Sequence, residues 1–380
     1  MYLFRYTPAL LVSLALSTAT CLADHIDVYF GTADEGGIHH GVFDTEAGNF
    51  NSIQKVADEI GAGFIAIHPS KHFLYSTSAP KKWKAQGFVV AYKINRDKTL
   101  TKLNLQSSEG TNPCHVSLDA TGSTLLVANY NSNASVAAYL IKRDGSLEAS
   151  KSIHTHEGSG EHPKRQKSPH PHSIYPSPNN QFVYSPDLGT DTVEIYALDA
   201  QHAKLTPVSG AEVPGGARGP RHMKFSHDGQ FAYVLNEFTM EVACYSANDA
   251  SGLLTYIETI STLKDRSDIE QMSCSEIRVH PNGQFVYAAN RDLLAKGRDA
   301  LSVFSRNAET GKLTLIQNQP ARVNVPRNFN ITPCGQWLMA GGQKTNNLAI
   351  FKLDPSTGKM SPHGDTIPFE GGPICIDFLK

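Results

Sequence analysis

Six stretches of the chain repeat one design: an apolar run, a tight polar turn and a second apolar run. They are IHPSKHFLYST (67–77), LDATGSTLLVAN (118–129), PSPNNQFVYSP (176–186), FSHDGQFAYVLN (225–236), VHPNGQFVYAAN (279–290) and ITPCGQWLMAGG (331–342). Proline presets φ and glycine accepts a positive φ, so turns built on Pro-x-Gly read as tight hairpins. A third apolar run follows, as in SVAAYLI, TVEIYALD, EVACYSAN, ALSVFSR and LAIFKLD, then a turn such as RDGSL, ASGLL or ETGKL and a fourth run. Helical periodicity is almost absent. Four strands recurring at a period of about fifty residues predict a propeller blade.

A seventh unit is divided between the ends of the chain. IDVYFGT and IHHGVFD near the start match the later strands of a repeat, whereas PICIDFLK at the finish matches the first. The expectation is an all-β fold: a seven-bladed β-propeller of four-stranded blades, the last blade closed by N- and C-terminal strands. A sandwich or a two-domain β protein does not account for the repeat count.

Residues 1–23 stand apart. Arg5, the apolar run Leu10–Leu16, small residues and CLA before Asp24 predict a signal peptide cleaved after Ala23. Cys21 raises lipoprotein processing, which Thr20 immediately before it fits poorly. Residues 24–380 are then expected to form one propeller domain, exported to the periplasm or secreted, with no later segment apolar enough to span a membrane. A formal net charge of −2 without a long basic block argues against a nucleic-acid partner. The expected state is a monomer or weak homodimer. Cys114, Cys244, Cys274, Cys334 and Cys375 have irregular spacing and form no CxxC, so they are expected to be small buried residues with one bridge at most. No cofactor is implied.

The repeat also selects a face. Neighbouring strands in a blade run antiparallel, so residues entering first strands and residues leaving second strands share one side of the disc. The entering residues are Asn112, His115, His170, His172, Arg221, His222, Glu276, Arg327 and Asn328; the leaving ones are Asn129, Tyr130, Asp187, Asn236, Glu237, Asn290, Arg291, Gln343 and Lys344. Arginines and a lysine around one channel mouth suit a carboxylate or phosphate, which guanidinium binds as a fork. A His and a Glu on the same rim can serve as acid and base. His68, His227 and His280 fall at the opposite turns and read as structural, and His39 and His40 lie in an outer strand of the split blade.

GPRHMKFSHDGQFAYVLNE, SPHPHSIYPSPNNQFVYSPDLGTD, SEIRVHPNGQFVYAANR and PRNFNITPCGQWLMAGGQKTNN resemble motifs of the seven-bladed propeller lactonases. That family includes propeller-type 6-phosphogluconolactonases and carboxy-muconate cyclases, and the resemblance covers essentially the whole mature chain. It implies a small-molecule acidic lactone as substrate. It places His172 at the site with His170 beside it, and brings Arg221 and His222, Glu237 with Asn236, Arg291, Arg327, Gln343 and Lys344. GSGEHPKRQ looks like a loop of exported members and adds Arg165 and Gln166; SEI supplies Glu276 as the expected acidic residue, and Pro186 before Asp187 departs from the pattern.

With no GxSxG elbow, acyl-enzyme chemistry is not favoured. The expected mechanism is direct hydrolysis: His172, oriented by Glu237, activates water, while Arg221 and Arg291 stabilise the oxyanion and the acidic group. A lactone-forming muconate cycloisomerase and a non-catalytic binding propeller are alternatives. His154, His156, His162, His170 and His172 raise a metal site, although they lack an ordered ligand spacing.

Overall fold

The computed structural model describes residues 25–33, 35–80, 86–131 and 135–379. The expected leader and its cleavage point lie outside the described residues. Seven four-stranded antiparallel sheets are present. Six follow chain order from the inner strand outward; in the seventh, Pro373–Phe378 is innermost and His25–Thr32, Ile38–Asp44 and Asn49–Ala57 lie outside it. Val28 faces Phe378 and Gly31 faces Cys375, so the ring is closed by pairing of the two ends of the chain. No helix among the described residues is long and apolar enough to cross a membrane.

The blades stack face to face, and this sets the burial pattern. Second strands such as Thr124–Asn129, Phe231–Asn236 and Phe285–Asp292 are buried at every residue, being covered on both faces. Outer strands such as Lys204–Glu212 bury only an occasional side chain. Each turn between inner and second strands contains a left-handed residue: Gly122, Gly229, Gly283 and Gly335, with Lys71 and Asn180 at the same place in two blades. The turn closes with the N–H of that residue on the carbonyl three residues back, as Gly283 N on His280 O at 2.8 Å. His68, His227 and His280 bond carbonyls of neighbouring blades (Gly122, His280 and Gly335), so they tie blades together on the face away from the site. Tyr184 donates to Gly252 O in the next blade at 2.7 Å, and a Cβ on that glycine (φ 74°) would lie 2.5 Å from Phe182. That position therefore requires glycine.

One irregularity carries the chemistry. In five inner strands a proline pairs with the end of the second strand and the following residue has no counterpart. Pro113 faces Asn129 and His115 faces Ala128; Pro220 and His222 skip Arg221, Pro326 and Asn328 skip Arg327, and Pro373 and Cys375 skip Ile374. In the blade of Tyr175–Pro176, Pro171 bridges Asp187 and His172 follows it. A bulge of this kind re-aims one side chain out of the sheet. Repeated around the ring, it points Cys114, His172, Arg221, Arg327 and Ile374 at the same axis.

Candidate active site

Those five residues line a cavity of about 390 Å³ at one mouth of the central channel, joined by residues at or just past the ends of second strands: Tyr130, Glu237, Arg291 and Gln343. The volume suits a sugar-sized ligand. Arg165 reaches in from the loop after Leu147–His154, and Phe64 and His222 form part of the floor. Phe64 also borders a second cavity at the opposite mouth, and it packs on His115 (4.1 Å between ring centroids), which packs on Tyr175 (4.6 Å). This aromatic plug closes the channel.

Glu237 is the electrostatic centre. Its Oε2 accepts from Arg221 Nε at 3.0 Å and faces Arg291 Nη2 at 3.1 Å, while Oε1 accepts from Arg165 Nη2 at 3.1 Å. Burial alone would raise its pKa, but Arg291, Arg221, Arg165 and Arg327 outweigh burial and hold it at about 2. The carboxylate is thus ionised and its acceptors are taken by guanidiniums. It does not orient His172, contrary to the expectation from the rim arrangement. Arg221 and Arg291 are further fixed by the carbonyls of Ser275 and Cys274. Arg165 also donates to Tyr130 Oη at 2.7 Å and lies over the Phe238 ring.

Arg327 differs from the other three. It lines the cavity without an ion pair or hydrogen bond to any described residue, and burial together with Arg221 and Arg291 pushes its pKa down to about 9. Four guanidiniums surround one carboxylate, leaving an excess of positive charge. His172 is buried, and burial with the charges of Arg221 and Arg327 holds its pKa well below the ordinary value, so the ring is neutral.

Several expected site residues do other work. Gln166 is buried in its own loop, with Nε2 donating to Leu188 O and Asp191 Oδ1 and Oε1 accepting from His162 N. His170 stacks on Tyr130 (4.7 Å, 16°) and braces it from behind the cavity. Asn236 is fully buried at a strand end, and Glu276 lies beneath the floor, where it holds His222. Lys344 is exposed outside the cavity wall. Asp187, for all its proline neighbour, is a buried brace that accepts from His156, His170 N and Gly189 N. The loop histidines are dispersed: His154 bonds Leu205 O and His156 pairs with Asp187. No group of three metal-ligating side chains suited to an ion occurs among the described residues.

Cys114 was expected to be simply buried; it is half-buried in the cavity wall. Burial pushes its thiol up to about 12, and its Sγ donates to carbonyls including His172 O at 3.4 Å, so it is not an activated nucleophile. Cys244, Cys274 and Cys375 are buried free thiols. Tyr130 was expected on this face, whereas Cys114 and Ile374 were not among the expected rim residues, although the sequence carries a signal for them. The pairs Pro-Cys, Pro-His, Pro-Arg, Pro-Arg and Pro-Ile align at the starts of five inner strands, and Asn-Tyr, Asn-Glu and Asn-Arg align at the ends of three second strands.

A family model described as "Lactonase, 7-bladed beta-propeller" matches residues 27–378. A 6-phosphogluconolactonase of Bacillus subtilis is 34% identical over 358 residues, covering 92% of this chain and 97% of the relative. One from Formosa agariphila is 31% identical, covering 85% and 90% respectively. Among solved structures, a periplasmic gluconolactonase from Pseudomonas aeruginosa superposes with a TM-score of 0.82 at 26% identity, covering 94% of this chain and 99% of its own. With its seven blades and a cationic cavity built at their strand ends, the chain belongs to the seven-bladed β-propeller lactonase family.

Proposed function

We propose that this protein hydrolyses the ring ester of a sugar-derived lactone carrying an anionic group. The observation that carries this is Arg327, a cavity guanidinium with no partner among the described residues, beside three others that share a single carboxylate. A half-buried cation crowded by Arg221 and Arg291 and with no direct ion pair is costly, and a carboxylate or phosphate on the substrate would offset it. The 6-phosphogluconolactonase relatives support an anionic sugar lactone, and the periplasmic gluconolactonase supports a sugar lactone without the anionic group.

His172 serves as general base in this reading. Its neutral ring is free to take a proton from water attacking the lactone carbonyl. Arrival of an anionic substrate partly cancels the field of Arg221 and Arg327, which strengthens His172 as a base when substrate is present. Arg221 and Arg291, held rigid by Glu237 and backbone carbonyls, supply preorganised positive charge for the developing oxyanion. Glu237 acts on the arginines rather than on the base. The mature chain works outside the cytoplasm in this proposal, in line with its leader-like first 23 residues and the periplasmic gluconolactonase relative.

The test is turnover of paired phosphorylated and unphosphorylated gluconolactones by the wild type and Arg327→Ala. Preference for the anionic member, shrinking at least tenfold in the variant, supports the reading. Equal rates with both lactones would remove the role of the arginines, and tight binding of the sugar acid without any turnover would make this a binding propeller.

A further inference from the structure

Three imidazole nitrogens at and beneath the cavity floor have no partner on another residue: His172 Nδ1, His222 Nε2 and, in the plug below, His115 Nε2. The first two belong to the rings that line the cavity, with 5% and 2% of their surface exposed. Their ring centroids are 5.5 Å apart, with planes at 65°. Leaving a buried polar atom unpaired is costly, because its desolvation is not repaid. A hydrogen bond to water spans about 2.9 Å, so one water can bridge rings at this separation.

The hydrogens on such a bridge follow from the residue beneath it. His222 Nδ1 faces Glu276 Oε1 at 3.2 Å. Glu276 is held in turn by Asn328 Nδ2 at 2.5 Å, by the Ile277 N–H at 2.9 Å and by Arg278. Although burial opposes it, Arg278 and His222 keep this carboxyl well below the usual range, so it is an ionised acceptor. His222 must therefore place its hydrogen on Nδ1. Burial lowers its own pKa to about 3, so the ring is neutral and Nε2 is a lone-pair acceptor. A water that donates one hydrogen to His222 Nε2 keeps a lone pair for an Nδ1–H of His172 and a second hydrogen for a bare Nδ1; a base working through its other ring nitrogen, Nε2, takes the first of these.

We propose that a buried water joins His172 Nδ1 to His222 Nε2, and that Glu276, by keeping His222 Nε2 an acceptor, has this water donate there and leaves its oxygen for the hydrogen of His172 on Nδ1. His172 Nε2 is then left with the lone pair that accepts a proton from the attacking water. Glu276 is a positioning residue: it touches no substrate, and it takes the place that the sequence pattern gave to Glu237. The inference rests on His172 being the base. A wrong tautomer would carry hydrogen on the reacting nitrogen and abolish its basicity without moving the ring.

The direct test is the tautomer of His172 in the ¹⁵N-labelled full-length protein, read from its ring-nitrogen shifts and long-range couplings and assigned by their loss in His172→Asn. The expected form is Nδ1–H. Glu276→Gln should give a mixture of tautomers and lower kcat by at least tenfold with KM within about twofold, and Glu276→Asp should recover part of kcat. An Nε2–H form in the wild type, or an unchanged kcat in Glu276→Gln, overturns the proposal. If that variant does not fold, a high-resolution crystal structure of the wild type decides: a water within hydrogen-bond reach of both nitrogens supports the bridge, and its absence overturns it. Full turnover in His172→Ala would instead overturn the base assignment, a result distinguishable from the tautomer and the water.

Discussion

Glu237 and Glu276 are both buried carboxylates at the strand ends of neighbouring blades, yet they face different surroundings. Glu237 lies in the cavity wall among Arg165, Arg221 and Arg291, where a small anion can also reach the guanidiniums. Glu276 lies one layer deeper, against His222, Asn328 and Arg278, sealed from the cavity. The difference teaches that a buried acid next to a histidine is not thereby its partner. Glu237 spends its acceptors on cations and shapes where positive charge sits. Glu276 leaves one acceptor for an imidazole and shapes where a proton sits.

The largest effect should come from the proposed base. His172→Ala is expected to reduce kcat by about 10²–10⁴-fold while the thermal midpoint moves little, since a cavity-lining ring is removed without stranding a charge. If Glu237 were after all the partner of His172, Glu237→Gln would reproduce that loss of kcat at unchanged KM; in the present arrangement it loosens Arg221 and Arg291, so KM rises together with a smaller fall in kcat.

Stability separates the two carboxylates next. Removing one member of a buried ion pair typically costs about 3–5 kcal/mol, so Glu237→Ala and Glu276→Ala should both unfold at much lower temperature. Millimolar phosphate should restore a good part of the midpoint in Glu237→Ala, because an anion can enter and replace the lost charge. It should do nothing for Glu276→Ala. Equal rescue of both, measured by thermal unfolding across a phosphate series, would mean that the floor is not sealed. Arg327→Ala works in the opposite sense: it deletes a cation crowded by Arg221 and Arg291, so the midpoint should hold or rise while KM for an anionic lactone increases at least tenfold.

These contrasts also show how far the sequence could be read. The repeats carried the ring, the split blade and the polar face, because hairpin turns and strand lengths are local properties. His172, Arg221, Glu237, Arg291, Arg327 and Gln343 follow from their place at strand ends, and all line the cavity. Gln166, His170, Asn236, Glu276 and Lys344 share that neighbourhood in the chain and do not. Strand position fixes the height of a residue along the channel, whereas the bulge after each proline decides which side chain turns inward. Pairing was harder still. Glu237 and His172 share a rim, but which groups a carboxylate accepts from depends on three arginines arriving from the loop and two blades, and no spacing in the chain encodes that.

The pH dependence of stability separates the floor from the wall. Glu237 titrates at about 2 against an ordinary value of 4.5, so its contribution is complete above pH 4.5 and disappears only as the pH falls toward 2. His222 belongs to an earlier window. Burial lowers it from 6.5 to about 3, so between those values the unfolded chain binds a proton that the folded protein refuses. Stability therefore falls with acidification through this window, by about 1.4 kcal/mol per pH unit for one such histidine. His172 is lowered by the same cause and adds to the slope. Urea midpoints from pH 7 to pH 4 should accordingly decline in the wild type, and His222→Gln should flatten the decline by about one histidine's share. Glu237→Gln should leave the slope above pH 4.5 nearly unchanged. Were the slope to follow Glu237 instead, the wall rather than the imidazole floor would govern the acid response, and the division of labour between the two carboxylates would have to be reversed.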